Sequence, residues 1–266
     1  AVLAGAGLSV SGAVLQSVLG NRLASPGIIG VNAGAGLGVT ICCAAGALSG
    51  WMISGAAFLG SLAAVEIITL AAYRTQASRS TVILGGVAVN AVLNAFSESV
   101  AVLFPDAAVL TAEFRVGGFS AVSHVRLIPA AVLILAALAV LMTLTNELDL
   151  LTLGDETAQG LGMSVRRTKT LFLLLAALLA GASVSFAGLL GFVGLIVPHF
   201  LRKILGNAGR LLLPSCVLYG GFAALCDLLA RTLFSPYELP VGILMAVIGG
   251  PFFVFLLLKH NNDPMD

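Results

Sequence analysis

A row of polar residues at helical spacing is the first place in this sequence where chemistry could occur. The row lies in an otherwise apolar stretch, residues 81–104, and consists of Asn90, Asn94, Ser97 and Glu98. Spacings of three and four residues place such side chains on one face of a helix. A polar face on an apolar helix can line a water-filled path through a membrane, and this is the interpretation we favour. The alternative is that the two asparagines form hydrogen bonds between helices.

Other charged residues in apolar stretches are few. Asp227 and Arg231 are four residues apart, so they can form an ion pair along one helix. One interpretation is that this pair only neutralises itself. Arg231 lies near the predicted outer end of its helix, from which the guanidinium could also reach an acidic partner outside. Glu66 is a lone carboxylate, for which we expect a buried hydrogen bond.

Residues suited to enzymatic or metal chemistry are sparse. The apolar stretches contain no histidine–carboxylate cluster, no metal-ligand spacing and no nucleophile beside a convincing base. His199 is expected to cap a helix or to lie at an interface. The cysteines are expected to be small buried hydrophobic residues; they are Cys42, Cys43, Cys216 and Cys226. We predict no catalytic residue, no metal site and no cofactor bound by this chain.

The composition identifies the class of protein. Of 266 residues, 59% are hydrophobic and 9% are charged, with a mean hydropathy of +1.09. Charged residues make up about a quarter of a soluble domain, so this chain could not cover itself with a water-compatible surface. We predict an all-α integral membrane protein in which residues 1–266 form one domain surrounded by lipid. The net charge is only +1 and the basic residues are scattered, which predicts no nucleic-acid partner.

Long apolar runs predict a bundle of about nine transmembrane helices. A helix needs about 20 apolar residues to cross the hydrocarbon layer. Such runs occur at 1–20, 28–48, 51–73, 81–104, 127–145, 170–190, 191–205, 211–234 and 240–258. Small residues that recur every four positions on three runs predict close helix packing. They are Gly5, Ser9, Ala13 and Ser17; Gly30, Gly34 and Gly38; and Gly242, Ala246 and Gly250.

The basic residues predict the orientation, because cytoplasmic loops carry an excess of Lys and Arg. The segments assigned to the inside are 21–27, 74–80, 146–169, 202–210 and the C-terminal tail. This arrangement leaves only Arg115, Arg126 and Arg231 outside. The C-terminus is therefore predicted to be cytoplasmic. With nine helices the first residue lies outside, which fits a parent protein that has a tenth helix before it.

A polar island at residues 153–167 interrupts the apolar pattern. Asp155 and Glu156 favour a helix N-terminus, and glycines close behind them favour a helix end. An apolar stripe is predicted from Ala158, Leu161 and Val165. We predict one or two short helices on the inner surface that dock into a groove on a soluble partner. The alternative is a solvated connector lying on the membrane.

The island and four longer stretches resemble the FecCD-type family of ABC importer permeases. In the island the resemblance lies in Glu156-Thr157-Ala158 followed by Gly160 and Gly162. The longer stretches are "SGAVLQSVLGNRLASPGIIGVNAGAGLG" (11–38), "ILGGVAVNAVLNA" (83–95), "GLLGFVGLIVPHFLR" (188–202) and "DLLARTLFSPYELPVGILMAVIGGPFFVFLLLK" (227–259). The resemblance runs in order along essentially the whole chain.

The resemblance implies a ten-helix subunit of a bacterial cytoplasmic (inner) membrane, here without its first helix. Its partners would be a second permease copy or close relative, cytoplasmic ATPases that bind ATP and Mg, and an extracytoplasmic substrate-binding protein. Family members import ferric siderophores, haem and cobalamin, and we expect an iron–siderophore-type chelate. By position, Arg231 would dock the binding protein and residues 83–98 would line the path, while 78–81, with Ser80 and Thr81, would form a cytoplasmic gate. The coupling segment would be 154–167, with Gly154, Asp155, Glu156, Ala158, Gly160, Leu161, Gly162 and Arg166 at the ATPase.

Three other functions compete with this expectation. A secondary transporter driven by an ion gradient would need an essential carboxylate, with Glu66 or Glu98 as the candidates. An intramembrane enzyme would turn over substrate as the purified chain alone. A truncated, inactive permease would retain the motifs without transport. Neither of the first two explains the glycine-containing island together with the four stretches.

Overall fold

Every regular element of the described chain is an α-helix, which confirms the predicted all-α class. The computed structural model describes residues 1–75, 79–120, 122–206, 208–233 and 236–260. The first helices are α1 (Val2–Leu19), α2 (Val31–Ala44), α3 (Gly50–Thr75), α4 (Arg79–Leu103), α5 (Pro105–Val116), α6 (His124–Thr143) and α7 (Thr145–Thr152). They are followed by α8 (Asp155–Gly160), α9 (Val165–Ala187), α10 (Val193–Leu205), α11 (Gly209–Leu218), α12 (Gly221–Thr232) and α13 (Val241–His260).

Each of the nine predicted apolar runs corresponds to helix, although the helices differ in length. Within the described residues, six stretches are long and apolar enough to cross a membrane. They are Val2–Leu19, Gly50–Ala72, Ser80–Leu103, His124–Thr143, Val165–Ala187 and Gly209–Thr232. Two further apolar helices are shorter, Val31–Ala44 and Val241–Val254. The protein is therefore a multi-span membrane protein.

The span predicted at 211–234 is formed by two helices in series, α11 and α12. The chain breaks between them at Tyr219 and Gly220. Gly220 lies against the backbone of Ala6 in α1, so closely that a Cβ at position 220 would overlap it. The break therefore brings the middle of this span directly onto α1.

The centre of the bundle is formed by α1 and α9. In α1 and α9, 89% and 72% of an apolar stretch of 18 residues is buried inside the protein, whereas in α4 only 11% of such a stretch is buried. Helix α9 packs on α1, α3 and α6, and α1 also packs on α10, α11 and α12. Helix α4 contacts mainly α2 on the periphery. Most of its surface is consequently available to lipid or to another chain.

The small residues predicted to allow close packing do so in α1 and α2. Gly34 lies against the backbone of Gly60 in α3, and Gly5 lies against the carbonyl of Gly220. In α13 the prediction is confirmed for Gly242, which lies against the carbonyl oxygen of Val116 in α5, and is wrong for Ala246, which is exposed, and for Gly250, whose Cβ would meet open space. Gly249 makes a second close contact in that helix, against the ring of Phe192.

Helix α5 occupies a stretch for which the sequence predicted only an outer loop. Pro105 stands in its first turn, where the missing N–H removes no helical hydrogen bond. The end of α5 is bonded to the end of α9 and to residues 188–192, the non-helical link between α9 and α10. Leu189 N–H donates to Phe114 O at 2.9 Å, and Gly118 N–H donates to Ala187 O at 2.8 Å. These bonds satisfy backbone groups that lie outside any helix.

Candidate transport sites

The polar row on α4 divides into an inward pair and an outward pair. Asn90 and Ser97 face the neighbouring elements, and Ser97 is only 3% exposed. Asn94 and Glu98 are exposed. At about 100° per residue these four positions cover roughly 100° of the helix circumference. The four residues therefore share one face, as predicted, but one edge of this arc packs on the protein and the other does not.

Asn90 makes hydrogen bonds inside the protein, although to a link and not between two helices as the alternative supposed. Its amide nitrogen donates to the carbonyls of Gly27 and Ile28 at 2.8 and 3.0 Å. These carbonyls belong to the non-helical link between α1 and α2, in which Gly27 O also accepts a hydrogen bond from Gly30 N–H at 3.4 Å. Asn90 therefore holds this link against α4, and only Asn94 and Glu98 keep polar groups on the outer side.

Ser97 belongs to a small polar cluster that joins three helices. Its hydroxyl lies 3.0 Å from Thr40 Oγ1 of α2 and accepts a hydrogen bond from Arg115 Nη2 of α5 at 2.8 Å. Arg115 was expected in an outer loop without a specific contact. The sequence contains only a weak signal for the position of Arg115, because helix α5 was not predicted. The cluster thus places the guanidinium of Arg115 against Ser97, the residue that precedes Glu98 in α4.

The coupling segment predicted at 154–167 folds as a short helix between two glycine turns. Gly154 precedes α8 with φ 104°, and Gly162 follows it with φ 88°. Both values lie in the region that side chains other than glycine rarely adopt. Met163 N–H donates to Ala158 O and Gly162 N–H donates to Gln159 O, at 3.1 and 3.0 Å. Helix α8 begins at Asp155 and ends at Gly160, as the acidic pair and the following glycines predicted, whereas a glycine turn before the helix was not predicted.

The apolar stripe predicted for this segment is wrong. Ala158 is fully buried, whereas Leu161 is 63% exposed, and Val165 already belongs to α9. The stripe fails because α8 ends at Gly160 and the chain turns before Leu161. Two exposed leucines, Leu153 and Leu161, instead flank the helix on either side. They present apolar surface in an otherwise polar segment.

Charged residues tie the coupling segment to the start of α9. Lys169 Nζ forms an ion pair with Asp155 Oδ2. Glu156 and Arg166 are exposed on the same segment. A cavity of about 690 Å³ lies between α8, the start of α9 and the ends of α1, α3 and α4. Its lining includes Arg166 and Val82, so it connects the coupling segment with the start of α4.

The predicted gate falls at the start of α4. Ser80 and Thr81 lie in the first turn of that helix and are both exposed. Ser78 lies outside the described residues. The two described gate positions border Val82, which lines the cavity beside the coupling segment. The structure thus brings the coupling segment and the described part of the gate to the same end of the bundle.

Arg231 lies at the end of α12 between two carboxylates. Its Nε donates to Asp227 Oδ2 at 3.0 Å, and Nη1 lies 3.9 Å from Glu238 Oε2. The predicted pair with Asp227 is therefore present. Glu238, 60% exposed at its side chain, was not singled out from the sequence. The arrangement gives this end of the span two negative charges and one positive charge.

The remaining polar residues singled out from the sequence have simple positions. Glu66 is exposed on α3, so the expectation of a buried hydrogen bond is wrong. His199 packs edge-on against Phe252 of α13, with ring centroids 5.8 Å apart, which confirms an interface role. Three of the cysteines are buried and Cys42 is partly exposed.

Comparisons with known proteins give a consistent result over nearly the whole chain. Residues 1–259 match the model of the FecCD transport family. The haemin transport system permease of Yersinia pestis is 37% identical over 99% of this chain and 81% of its own length. An Fe(3+)-citrate import permease of Bacillus subtilis is 36% identical over 97% of this chain and 78% of its own.

Further relatives extend the range of cargo and include a solved structure. The cobalamin import permease of Halobacterium salinarum is 39% identical over 95% of this chain and 69% of its own length. The structure of an inward-facing metal-chelate-type ABC transporter superposes with a TM-score of 0.89 at 30% identity. That match covers 97% of this chain and 83% of the solved chain.

Proposed function

This chain belongs to the FecCD transport family, and from that premise we propose how it works within its importer. It is a transmembrane permease subunit of an ABC importer. Transport, and not turnover of a substrate by the chain itself, is its role. The proposals below concern its cargo, its partners and the residues that serve them. These proposals rest on the match of residues 1–259 to the family model, together with the helix α8 that lies between two glycine turns.

The proposed cargo is a metal chelate of the iron–siderophore, haem or cobalamin class. The named relatives transport haemin, ferric citrate and cobalamin, and they match this chain over nearly all of its length. Among these we favour an iron–siderophore-type chelate. Such cargo is large and rigid, so a wide path with few specific contacts suits it. Selectivity would then lie chiefly with the binding protein.

The proposed site for the partner ATPase is the coupling segment. Leu153 and Leu161 present apolar side chains beside α8, and Glu156 is exposed between them. Ala158 anchors the opposite side of the helix in the bundle. An amphipathic element of this kind fits a groove on a soluble domain. ATP and Mg would be bound by that ATPase, which supplies the energy.

A second permease copy, or a close relative, is proposed to cover α4. Asn94 and Glu98 are exposed on a helix of which only 11% is buried within one protomer. A carboxylate that faced lipid here would be costly. Pairing with a second subunit would place both side chains along a central path instead. Ser80 and Thr81 would close the cytoplasmic end of that path.

The proposed orientation places α8 and the C-terminus in the cytoplasm of an inner membrane. The basic residues Arg166, Arg167 and Lys169 cluster beside α8, as expected for the cytoplasmic side. Arg231 lies at the far end of the span that starts beside α7, and would meet the external binding protein. ATP-driven movement of α8 would then switch the path between outward and inward access.

The test is purification of the tagged chain from its native membrane in mild detergent, with identification of the proteins that accompany it. We expect an ABC ATPase and an extracytoplasmic binding protein. The complex is then reconstituted in vesicles and given ⁵⁵Fe-labelled hydroxamate siderophore, haemin, ferric citrate or radiolabelled cobalamin. ATP-dependent uptake of one of these supports the proposal. Uptake driven by an ion gradient without ATP would contradict it.

A further inference from the structure

We infer that Asp149 is a positioning residue that carries the movement of the coupling segment to the span formed by α11 and α12. The inference rests on the proposed function, because it supposes that an ATPase moves α8. It concerns a contact between α7 and α11, which involves neither the polar row on α4 nor the residues of α8.

Asp149 caps the N-terminus of α11 from a different helix. Its Oδ1 accepts a hydrogen bond from the backbone N–H of Gly209, the first residue of α11, at 2.5 Å. The residue before the helix, Ala208, has no side chain that could do this. A carboxylate here satisfies a free N–H group and also interacts favourably with the helix dipole. The bond joins residues 60 positions apart in sequence.

The contact requires a glycine on its other side. A Cβ on Gly209 would lie 2.9 Å from Asp149 Oδ1 and 3.1 Å from the carbonyl oxygen of Thr145. Both distances are shorter than ordinary van der Waals contacts of a methyl group. A larger residue at position 209 would therefore displace the Asp149 carboxylate and crowd the Thr145 carbonyl. The carboxylate and the glycine form a matched pair.

Helix α7 is packed between this contact and the bundle. Leu148 and Leu151 are 1% and 0% exposed, and α7 packs on both α1 and α11. Only Leu153 and Gly154 separate α7 from α8. A displacement of α8 consequently reaches α7 within two residues. The Asp149–Gly209 bond then connects α7 to the start of the α11–α12 span.

The same span ends at Arg231, on the proposed docking surface for the binding protein. The start of this span is bonded to α7, next to the coupling segment, and its other end lies on the proposed docking surface. Through Asp149 the span therefore connects the two surfaces that must communicate in an importer. Loss of the bond should leave each surface intact while weakening the communication between them. Stimulation of ATP hydrolysis by the binding protein measures that communication.

The experiment compares the reconstituted complex carrying the wild-type chain, D149A, D149N or N146A. Hydrolysis of ATP is measured with and without the co-purified binding protein. D149A removes the acceptor, whereas D149N keeps an oxygen in the same place. Asn146 is exposed on the same helix and serves as the control. We expect D149A to keep basal hydrolysis and to lose about fivefold in stimulation, the low end of ordinary allosteric coupling. D149N and N146A should stay close to wild type.

Equal stimulation in D149A and wild type would overturn the inference. So would equal losses in D149A and N146A, which would indicate a general effect of altering α7. If D149A is not recovered from the membrane, G209A decides: it keeps the carboxylate but displaces it from the Gly209 N–H, and wild-type stimulation in G209A would refute the role. A wild-type complex that takes up chelate with ATP but is not stimulated by the binding protein would overturn this inference alone. A wild-type complex that lacks an ATPase would instead remove the proposed function itself.

Discussion

At the scale of single residues, two asparagines on one helix illustrate how burial determines role. Asn90 and Asn94 are one turn apart on α4, yet Asn90 donates two hydrogen bonds to the α1–α2 link and Asn94 is exposed. The first is a structural residue. The second retains the role proposed for it in a path between two subunits.

We predict that N90A destabilises the protein and N94A does not. Removing the Asn90 amide takes a donor from the carbonyls of Gly27 and Ile28, at a cost of about 1 kcal/mol for hydrogen bonds inside a membrane protein. Thermal unfolding of the purified protein in detergent should show a lower midpoint for N90A only. Equal midpoints for the two variants would contradict this assignment, whereas reduced uptake by N94A with an unchanged midpoint would support its role in the path.

The residue types and spacings predicted this row but not its division. Helical spacing places residues on a face, and the boundary between the buried and open parts of that face depends on where neighbouring helices pack. Arg115 shows the same limit, because it reaches Ser97 only through α5. Glu66 was expected to be buried because a membrane disfavours a lone carboxylate, yet the protomer leaves it exposed. Such positions are determined by tertiary contacts, which a single helix pattern does not contain.

At the scale of elements, the coupling segment was the most predictable part of the chain. Acidic residues at a helix start and glycines at its end are local signals, so the position of α8 followed from residues 154–162 alone. The stripe from Ala158 to Val165 failed because it assumed that one helix continued through Gly162. Helix α5 was missed because it is short and contains charged residues, which resemble those of a loop.

We predict that G162A impairs coupling while G206A does not. Gly162 has φ 88°, where an alanine costs about 1–2 kcal/mol, and the space around it is open, so the effect is on the backbone alone. Gly206 follows α10 with φ 78° and also has open surroundings, so it carries the same backbone cost outside the coupling segment. ATP-driven uptake and retention of the ATPase should fall in G162A and stay unchanged in G206A. Unchanged uptake in both variants would argue against a coupling role for this turn.

At the scale of the whole molecule, α4 is exposed in one protomer, and it is the surface that we proposed a second permease subunit covers. We predict that a cysteine at position 94, in a variant without the four native cysteines, cross-links two permease subunits. A cysteine in place of Val132, which is 62% exposed on α6, should not. The product is identified by its mass in a non-reducing gel. Cross-linking from position 132 alone would place the subunit interface on α6 instead.

The orientation of the molecule gives a separate prediction. Leu161 and Tyr237 are 63% and 78% exposed, beside α8 and near Arg231 respectively. In sealed inside-out vesicles, a membrane-impermeant maleimide should label a cysteine at position 161 and should not label one at position 237. Right-side-out vesicles should give the reverse pattern. Labelling of both positions from one side would contradict the proposed topology.

The shortness of α10 has a consequence for how the chain is made. At 13 residues this helix is about 20 Å long, so it cannot cross a hydrocarbon layer of about 30 Å alone. The link at 188–192 that precedes it has its backbone bonded to the end of α5, a helix completed earlier in synthesis. Exposed non-helical backbone is not tolerated in lipid. We therefore expect newly made α10 to depend on the finished N-terminal half for insertion, so that the second half docks onto the first during biosynthesis.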